Sequence, residues 1–312
     1  MKTIQALGEN QLIARLRRLV PGRADVVTGI GDDCAVVRAG RGAPFDWLLK
    51  SDPVIEGVHF SPQAKPEAVG HKAMGRVLSD LAAMGGEPLW ILIDLVAPAN
   101  TPVSRLERIY RGAARLARRN GVAIVGGDMA RGPVLELHVF AVGRVPRGQA
   151  VLRSGAKPGD VIYVTGSLGG SLAGRHLVFE PRLTEGQWLV GKRWATAMMD
   201  VSDGLAADVP RLAAASGVGA VLEAGRIPVS AAARRAKKGL TPLEHALGDG
   251  EDFELLFTVK AGRAAAFEKA WKAKFKLRCT RIGHVTRKAG ISLEAAGKAH
   301  PLTQHGYDHF RS

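Results

Sequence analysis

Cysteine is nearly absent from this chain: Cys34 and Cys279 are the only two in 312 residues, and they lie far apart in sequence. A disulfide-stapled secreted scaffold and a cysteine-based zinc site are thereby excluded, and two buried thiols in a reducing compartment are expected. Aromatic residues are scarce as well, at 5%. With no interleaving of rings and cations, a stacking platform for single-stranded nucleic acid is not expected. No apolar run reaches the roughly 18 residues that a membrane helix needs; the best, Leu89 to Val96, is interrupted by Asp94. The stretch from Met1 to Val20 lacks the apolar block of a secretory signal and reads as a short amphipathic helix with Leu12, Ile13 and Leu16 on one face. A cytoplasmic protein without a membrane partner is expected.

Acidic residues are the minority charge, 29 against 44 Lys plus Arg, which leaves a net charge of +15. Most basic residues lie in helical stretches such as Arg105 to Arg119 and Arg234 to Lys238, where a solvated face is the usual explanation, so nucleic acid ranks low as a partner. The acids that remain are not scattered. They gather beside glycines and serines, at Gly31-Asp32-Asp33, Ser51-Asp52, Ser79-Asp80, Gly127-Asp128, Asp200-Val201-Ser202-Asp203-Gly204 and Gly248-Asp249-Gly250-Glu251-Asp252. A carboxylate beside glycine at the end of an apolar run sits where backbone can approach a ligand. Oxygen donors without Cys or His company suit Mg²⁺, which completes its shell with water and substrate phosphate. Metal-assisted phosphate chemistry is the implied class.

The length fits two domains, and 38 glycines predict frequent tight turns. Strand-like and helix-like segments alternate in the first half: strands at Cys34–Arg38, Trp47–Ser51, Leu89–Val96, Val122–Val125 and Val134–Val145, helices at Pro66–Met84 and Val103–Asn120. In the first helix Val69, Ala73, Val77, Leu81 and Met84 recur every three to four residues, Pro66 suits the first turn, and Gly85-Gly86 ends it. A polar joint, Arg153 to Asp160, leads into a second half with strands at Val161–Thr165, Gly219–Glu223, Phe253–Val259 and Arg278–Val285, and helices near 168–178, Leu205–Ala215 and Gly262–Lys274. The pattern predicts an α+β (α/β) mixture with mixed sheets, divided into domains 1–150 and 151–312.

Two nucleotide motifs nearly match and fail. Gly186 to Arg193 has P-loop spacing, but Arg193 stands where Ser or Thr would ligate magnesium. Gly29-Ile30-Gly31-Asp32-Asp33-Cys34 opens like a dinucleotide fingerprint, lacks its third glycine, and places two carboxylates where a pyrophosphate would be repelled unless a cation lay between them.

In order along the chain, the motifs Gly29-Ile-Gly-Asp-Asp-Cys-Ala35, Ser51-Asp52, Glu56-Gly-Val-His-Phe60, Leu78-Ser-Asp-Leu-Ala-Ala-Met-Gly85, Gly126-Gly-Asp128, Arg131-Gly-Pro133, Arg153 to Asp160, Asp200-Val-Ser-Asp-Gly204, Gly250-Glu-Asp-Phe-Glu254 and Gly306-Tyr-Asp-His-Phe310 resemble those of the thiamine-monophosphate kinase family. The resemblance implies a two-domain fold like that of aminoimidazole ribonucleotide synthetase, with the N-terminal sheets of two subunits joined in a homodimer. It also implies Mg²⁺-dependent transfer of the ATP γ-phosphoryl group to thiamine monophosphate. Carried over by motif, Asp33, Ser51, Asp52, Asp80, Asp128, Asp200 and Asp203 would hold magnesium; Tyr110, Gly127, Asp128, Arg153 and Ser202 would meet ATP; His59, Glu251 and Tyr307 would face thiamine phosphate. The attacking phosphate oxygen is already ionised, so no proton-transfer residue is assigned. For each Asp taken singly, a helix cap or turn is the competing role.

The chain departs from the family pattern at several positions. Lys50 stands where a small hydroxyl residue is usual. Residues 50 and 52 share a strand face, so the Lys50 ammonium either reaches Asp52 and stands in for one magnesium ion or turns to solvent. Met129-Ala130 replaces a common Thr-Thr, and Asp249 a common glycine. Two other readings stay open: a sibling ATP-dependent synthetase with another acceptor, and a non-catalytic polyanion binder driven by the +15 charge.

Overall fold

The computed structural model describes residues 3–236, 239–307 and 310. The first of two seven-stranded sheets contains β1 (Val26–Thr28), β2 (Ala35–Val37), β3 (Phe45–Ile55), β4 (Glu87–Ala97), β5 (Ala123–Gly126), β6 (Met129–Arg131) and β7 (Glu136–Pro146), in the order β1-β2-β3-β7-β4-β5 with β6 beside β4. β7 runs antiparallel to β3 and β4, while β4 pairs in parallel with β5 and β6. The second contains β8 (Val161–Thr165), β9 (Ala195–Asp200), β10 (Gly219–Glu223), β11 (Leu255–Val259), β12 (Cys279–Thr286), β13 (Gly290–Ala295) and β14 (Lys298–Pro301), in the order β14-β13-β10-β12-β8-β11-β9. Its pairs are antiparallel except β10 with β13. Both sheets are mixed or nearly so, as the alternation of segments predicts.

Burial separates the two sheets. β8 and β11, rich in β-branched and aromatic residues, are buried at every position, because helices cover both faces of the second sheet. β3 instead alternates, with Leu48 and Val54 buried and Leu49 and Ser51 exposed. The inner face of the first sheet packs on the Pro66–Ala83 helix, and one continuous core runs from Leu48, Ile91 and Val139 through Val77 and Leu81 to Tyr163, Met198 and Phe257. That helix crosses the Val103–Arg119 helix at very close range. A Cβ on Gly70 would lie 1.9 Å from the Ile109 carbonyl oxygen, and one on Gly112 1.9 Å from that of Glu67, so only glycine fits at either point.

Several sequence expectations need correction. Gly8, at φ 77, splits the N-terminal helix into Ile4–Leu7 and Glu9–Leu16, and Ile13 and Leu16 stay exposed. The helix expected near 168–178 is a pair of 3₁₀ turns, Ser171–Ala173 and Arg175–Leu177, because Gly169, Gly170 and Gly174 take positive φ. β11 starts at Leu255, two residues late, since Phe253 sits at φ 50. β3 is longer than expected at both ends, and β9 escaped the pattern. Both cysteines are free thiols; Cys34 is buried but Cys279 is partly exposed. Among the described residues no helix is long and apolar enough to cross a membrane. Asp308 and His309 of the C-terminal motif, and Lys237 and Lys238 of the basic stretch, lie outside the described residues.

Candidate metal and phosphate site

The site forms where the two halves meet, and each element brings one acid to it. Asp33 follows the tight turn at Gly31, whose φ is 123. The Pro66–Ala83 helix points Lys72, Arg76, Ser79 and Asp80 along one face, at helical spacing. Asp200 closes β9. Carboxylate oxygens of Asp33, Asp80 and Asp200 lie within 4.8 Å of one another, and all three residues are buried. Backbone bonds fix the loops behind them: Val201 donates to the Glu254 carbonyl at 2.8 Å, Glu251 to that of Ser202 at 2.6 Å, and Phe253 to that of Val201 at 2.8 Å.

Positive charge is in short supply here. Burial, with the charge of Asp33 adding to it, pushes Asp200 up to about 6, and burial together with Asp33 does the same to Asp32. Burial drives Asp80 well above the usual carboxylate range; Lys50 opposes the rise, while Asp200, Asp52 and Asp33 reinforce it. Asp200 receives the Ser79 hydroxyl at 2.6 Å. Asp33 takes Arg153 Nη2 at 2.6 Å and Nε at 3.2 Å on Oδ1, and its Oδ2 is buried without a hydrogen-bond partner among the described residues. Clustered, dehydrated, all-oxygen donors with an unsatisfied lone pair fit a hard divalent cation.

Beside the triad lies a cationic pair. Arg76 grips both Asp52 oxygens at 2.9 Å and reaches Glu251 Oε1 at 3.2 Å. Lys72, fully buried, donates to Glu251 Oε2 at 2.6 Å and to the His59 carbonyl at 2.5 Å. Burial lowers Lys72 to about 8 against the opposing pull of Glu251. His59 Nδ1 accepts the Ile55 backbone N–H at 3.1 Å, so the proton of the neutral ring sits on Nε2. Glu251 holds φ 52, a costly conformation for a side-chain-bearing residue.

Of the sequence-expected residues, Asp33, Asp52, Asp80, Asp200, Arg153, His59 and Glu251 thus come together. Ser51 does not join them, because strand alternation turns it to the outer face opposite Phe140. Asp128 is exposed outside the triad, with its N–H on Asp94 Oδ1 at 2.9 Å, and Tyr110 is raised by burial and by that same Asp94 charge. Gly127 is required for close approach, since a Cβ there would meet the Ile93 carbonyl oxygen at 1.9 Å. Asp203 is paired with Arg211, which also holds Asp208 at 2.9 Å. Ser202 contributes its carbonyl to Glu251, and exposed Tyr307 donates its N–H to the Asp203 carbonyl at 3.0 Å.

Lys50 neither contacts Asp52 directly nor turns to solvent; its ammonium lies 3.0 Å from Asp80 Oδ1. Exposed Met129 and Ala130 add nothing to the triad. Asp249 anchors its loop through the Gly170 N–H at 2.6 Å and His245 at 2.9 Å. Sequence reading missed Lys72, Arg76 and Ser79. The available signal was their placement at intervals of four and three on a helix otherwise apolar enough to be central.

The family model for AIR synthase related protein, N-terminal domain, matches residues 31–145, and that for AIR synthase related protein, C-terminal domain, matches residues 157–296. The chain is 39% identical over 293 residues to the thiamine-monophosphate kinase of Rhodopirellula baltica, covering 91% of each chain. It is 36% identical to that of Escherichia coli K12, covering 98% of this chain and 99% of the other. Among solved structures it is similar to "AaThiL complexed with AMPPCP and TMP", with a TM-score of 0.86, 33% identity and 99% coverage of both chains.

Proposed function

The chain belongs to the AIR synthase related family and, within it, to the thiamine-monophosphate kinases, and from that premise we infer that it transfers the γ-phosphoryl group of ATP to thiamine monophosphate, giving thiamine diphosphate and ADP. The observation that carries this reading is the buried triad of Asp33, Asp80 and Asp200 with its unpaired Asp33 oxygen. Two polyphosphates repel each other, and their reaction is mostly a matter of alignment and charge neutralisation. Magnesium bound there supplies that neutralisation. Asp33 and Asp200 would hold it, with Asp80, whose Oδ1 is met by Lys50, and Asp52 alongside; Asp128, Asp203 and Ser51 lie outside this inner set.

The chain's own cations do the rest. Arg76 and Arg153 present planar guanidinium groups suited to phosphate oxygens, and Lys72 is a fixed point charge behind them. Arg153 and Ser202 serve the nucleotide, with Tyr110 and Gly127 on the side of Asp94. His59, Glu251 and Tyr307 take the thiamine end, where a carboxylate balances the thiazolium charge and a ring covers it. Residues 1–150 form the pairing domain and bring Asp33, Asp52 and Asp80 to the metal, and residues 151–312 close the cleft and add Asp200, in a cytoplasmic enzyme.

Two chains pair through the bare face of the first sheet. Trp90 and Leu92 are 44% and 43% exposed there, and Trp47 stacks on Trp90 with centroids 5.8 Å apart. An apolar surface of this kind calls for a partner, and Leu92→Glu is expected to halve the mass seen by analytical ultracentrifugation. The activity test is direct: purified protein with ATP, Mg²⁺ and thiamine monophosphate should form thiamine diphosphate, and none after chelation. ADP released only with some other acceptor would overturn the assignment.

A further inference from the structure

Lys50 enters the acidic cluster from β3, on the same strand face as Asp52. Its Nζ lies 3.0 Å from Asp80 Oδ1, and the two side chains are 22% and 8% exposed. The neighbouring carboxylates divide the local cations among them: Asp33 has Arg153, Asp52 has Arg76, and Asp80 has Lys50. Asp200 is left with the Ser79 hydroxyl. An ammonium this close to a carboxylate oxygen takes the place that a cation would need on that oxygen, and it repels any divalent ion brought to the same position.

We propose that Lys50 is a built-in counter-ion that replaces one divalent cation at Asp80, so that this chain binds fewer magnesium ions than its carboxylates would otherwise hold. The inference rests on the proposed kinase reading. A tethered charge does not dissociate, so the site keeps part of its neutralisation when free magnesium is scarce. Asp200 and the open side of Asp33 remain for metal. The ammonium also differs in kind from the ion it replaces, with single charge and a longer contact, so it neutralises without drawing phosphate oxygens into an inner coordination shell.

The test counts ions. Mn²⁺ serves as the probe, its free aquo form followed by electron paramagnetic resonance during titration of wild type, Lys50→Ser and Lys50→Arg. Lys50→Ser is expected to bind one more Mn²⁺ per chain than wild type, and Lys50→Arg, which keeps the charge, to match wild type. The order of the rate in magnesium should rise in Lys50→Ser to match. Should Lys50→Ser not fold by thermal melting, Lys50→Gln fills the space without charge and carries the same expectation. Equal Mn²⁺ number and affinity in wild type and the neutral variant would overturn the inference while leaving the kinase reading intact. A wild type that binds no Mn²⁺ and forms no thiamine diphosphate would overturn both.

Discussion

Asp200 and Glu254 are close neighbours with opposite surroundings. Asp200 closes β9 opposite Leu255, the residue after Glu254, and both carboxylates are almost wholly buried, 3% and 1% exposed. Glu254 is saturated: Arg182 binds both of its oxygens at 2.7 and 2.8 Å, Arg175 adds a contact at 3.3 Å, and the Thr165 hydroxyl donates at 2.7 Å. Asp200 has the Ser79 hydroxyl and two other buried acids for company. Burial of a charge therefore does not mark function by itself. The diagnostic feature is missing counter-charge, because a fold that needed only stability would have paired Asp200 as it paired Glu254.

The sharpest way to break this contrast is to neutralise each acid in turn. Asp200→Asn should lower kcat/KM by at least about 10²-fold, the scale on which a preorganised electrostatic group is missed. Its melting temperature should hold or rise, since an unpaired buried charge is gone. Glu254→Gln should do the reverse, costing on the order of 3–5 kcal/mol by stranding two guanidinium groups, with activity per folded molecule changed only several-fold. Steady-state assays and denaturant titrations read both. Comparable loss of stability in the two variants would erase the distinction.

The divide also explains what could be read from the sequence. The Pro66–Ala83 helix, the fully buried strand β8 and the largely buried strand β10 emerge close to their observed bounds because apolar period and Gly or Pro punctuation agree there. β3 was read as Trp47–Ser51 because Lys50, Asp52 and Pro53 interrupt its apolar pattern; two of those interruptions belong to the site. Asp33, Asp52, Asp80 and Asp200 are legible as motifs, and the family resemblance implies their convergence; the contacts that bring it about, such as Ser79 with Asp200 across more than a hundred residues, are not legible. Lys72 reads as a solvated helix residue and is fully buried, for its partner Glu251 comes from the other half of the chain. The Ser51 side chain lies apart from the others for a simpler reason: strand alternation turns it to the face opposite that of its neighbour Asp52.

Acidity gives a third, smaller contrast. Asp200 is raised from 3.8 to about 6, so between those values the folded chain keeps a proton that the unfolded chain has lost. The folded state then binds more protons, and stability falls as pH rises through this window and stays at the lower level above it. Without divalent cations, the melting temperature of wild type relative to Asp200→Asn should drop by a few degrees from about pH 4 to about pH 6, and Mg²⁺ should remove most of the drop by supplying the missing charge. A difference that is flat with pH, or unaffected by Mg²⁺, would mean that Asp200 is neutralised by the protein after all.

The smallest expected effect compares two hydroxyls that each serve one of these acids. Thr165 donates to Glu254 and accepts the Leu255 N–H at 2.9 Å, so Thr165→Val leaves a buried N–H unpaired and should cost about 1–3 kcal/mol with unchanged magnesium dependence. Ser79 donates to Asp200 alone, and its hydrogen bond holds the carboxylate pKa down. Ser79→Ala should therefore raise the Asp200 pKa further and weaken magnesium binding, with a stability change of no more than about 1 kcal/mol. The two variants part on one plot, melting temperature against the magnesium concentration for half-maximal rate. Thr165→Val moves along the first axis and Ser79→Ala along the second; movement of both along the same axis would show that one environment, not two, surrounds these acids.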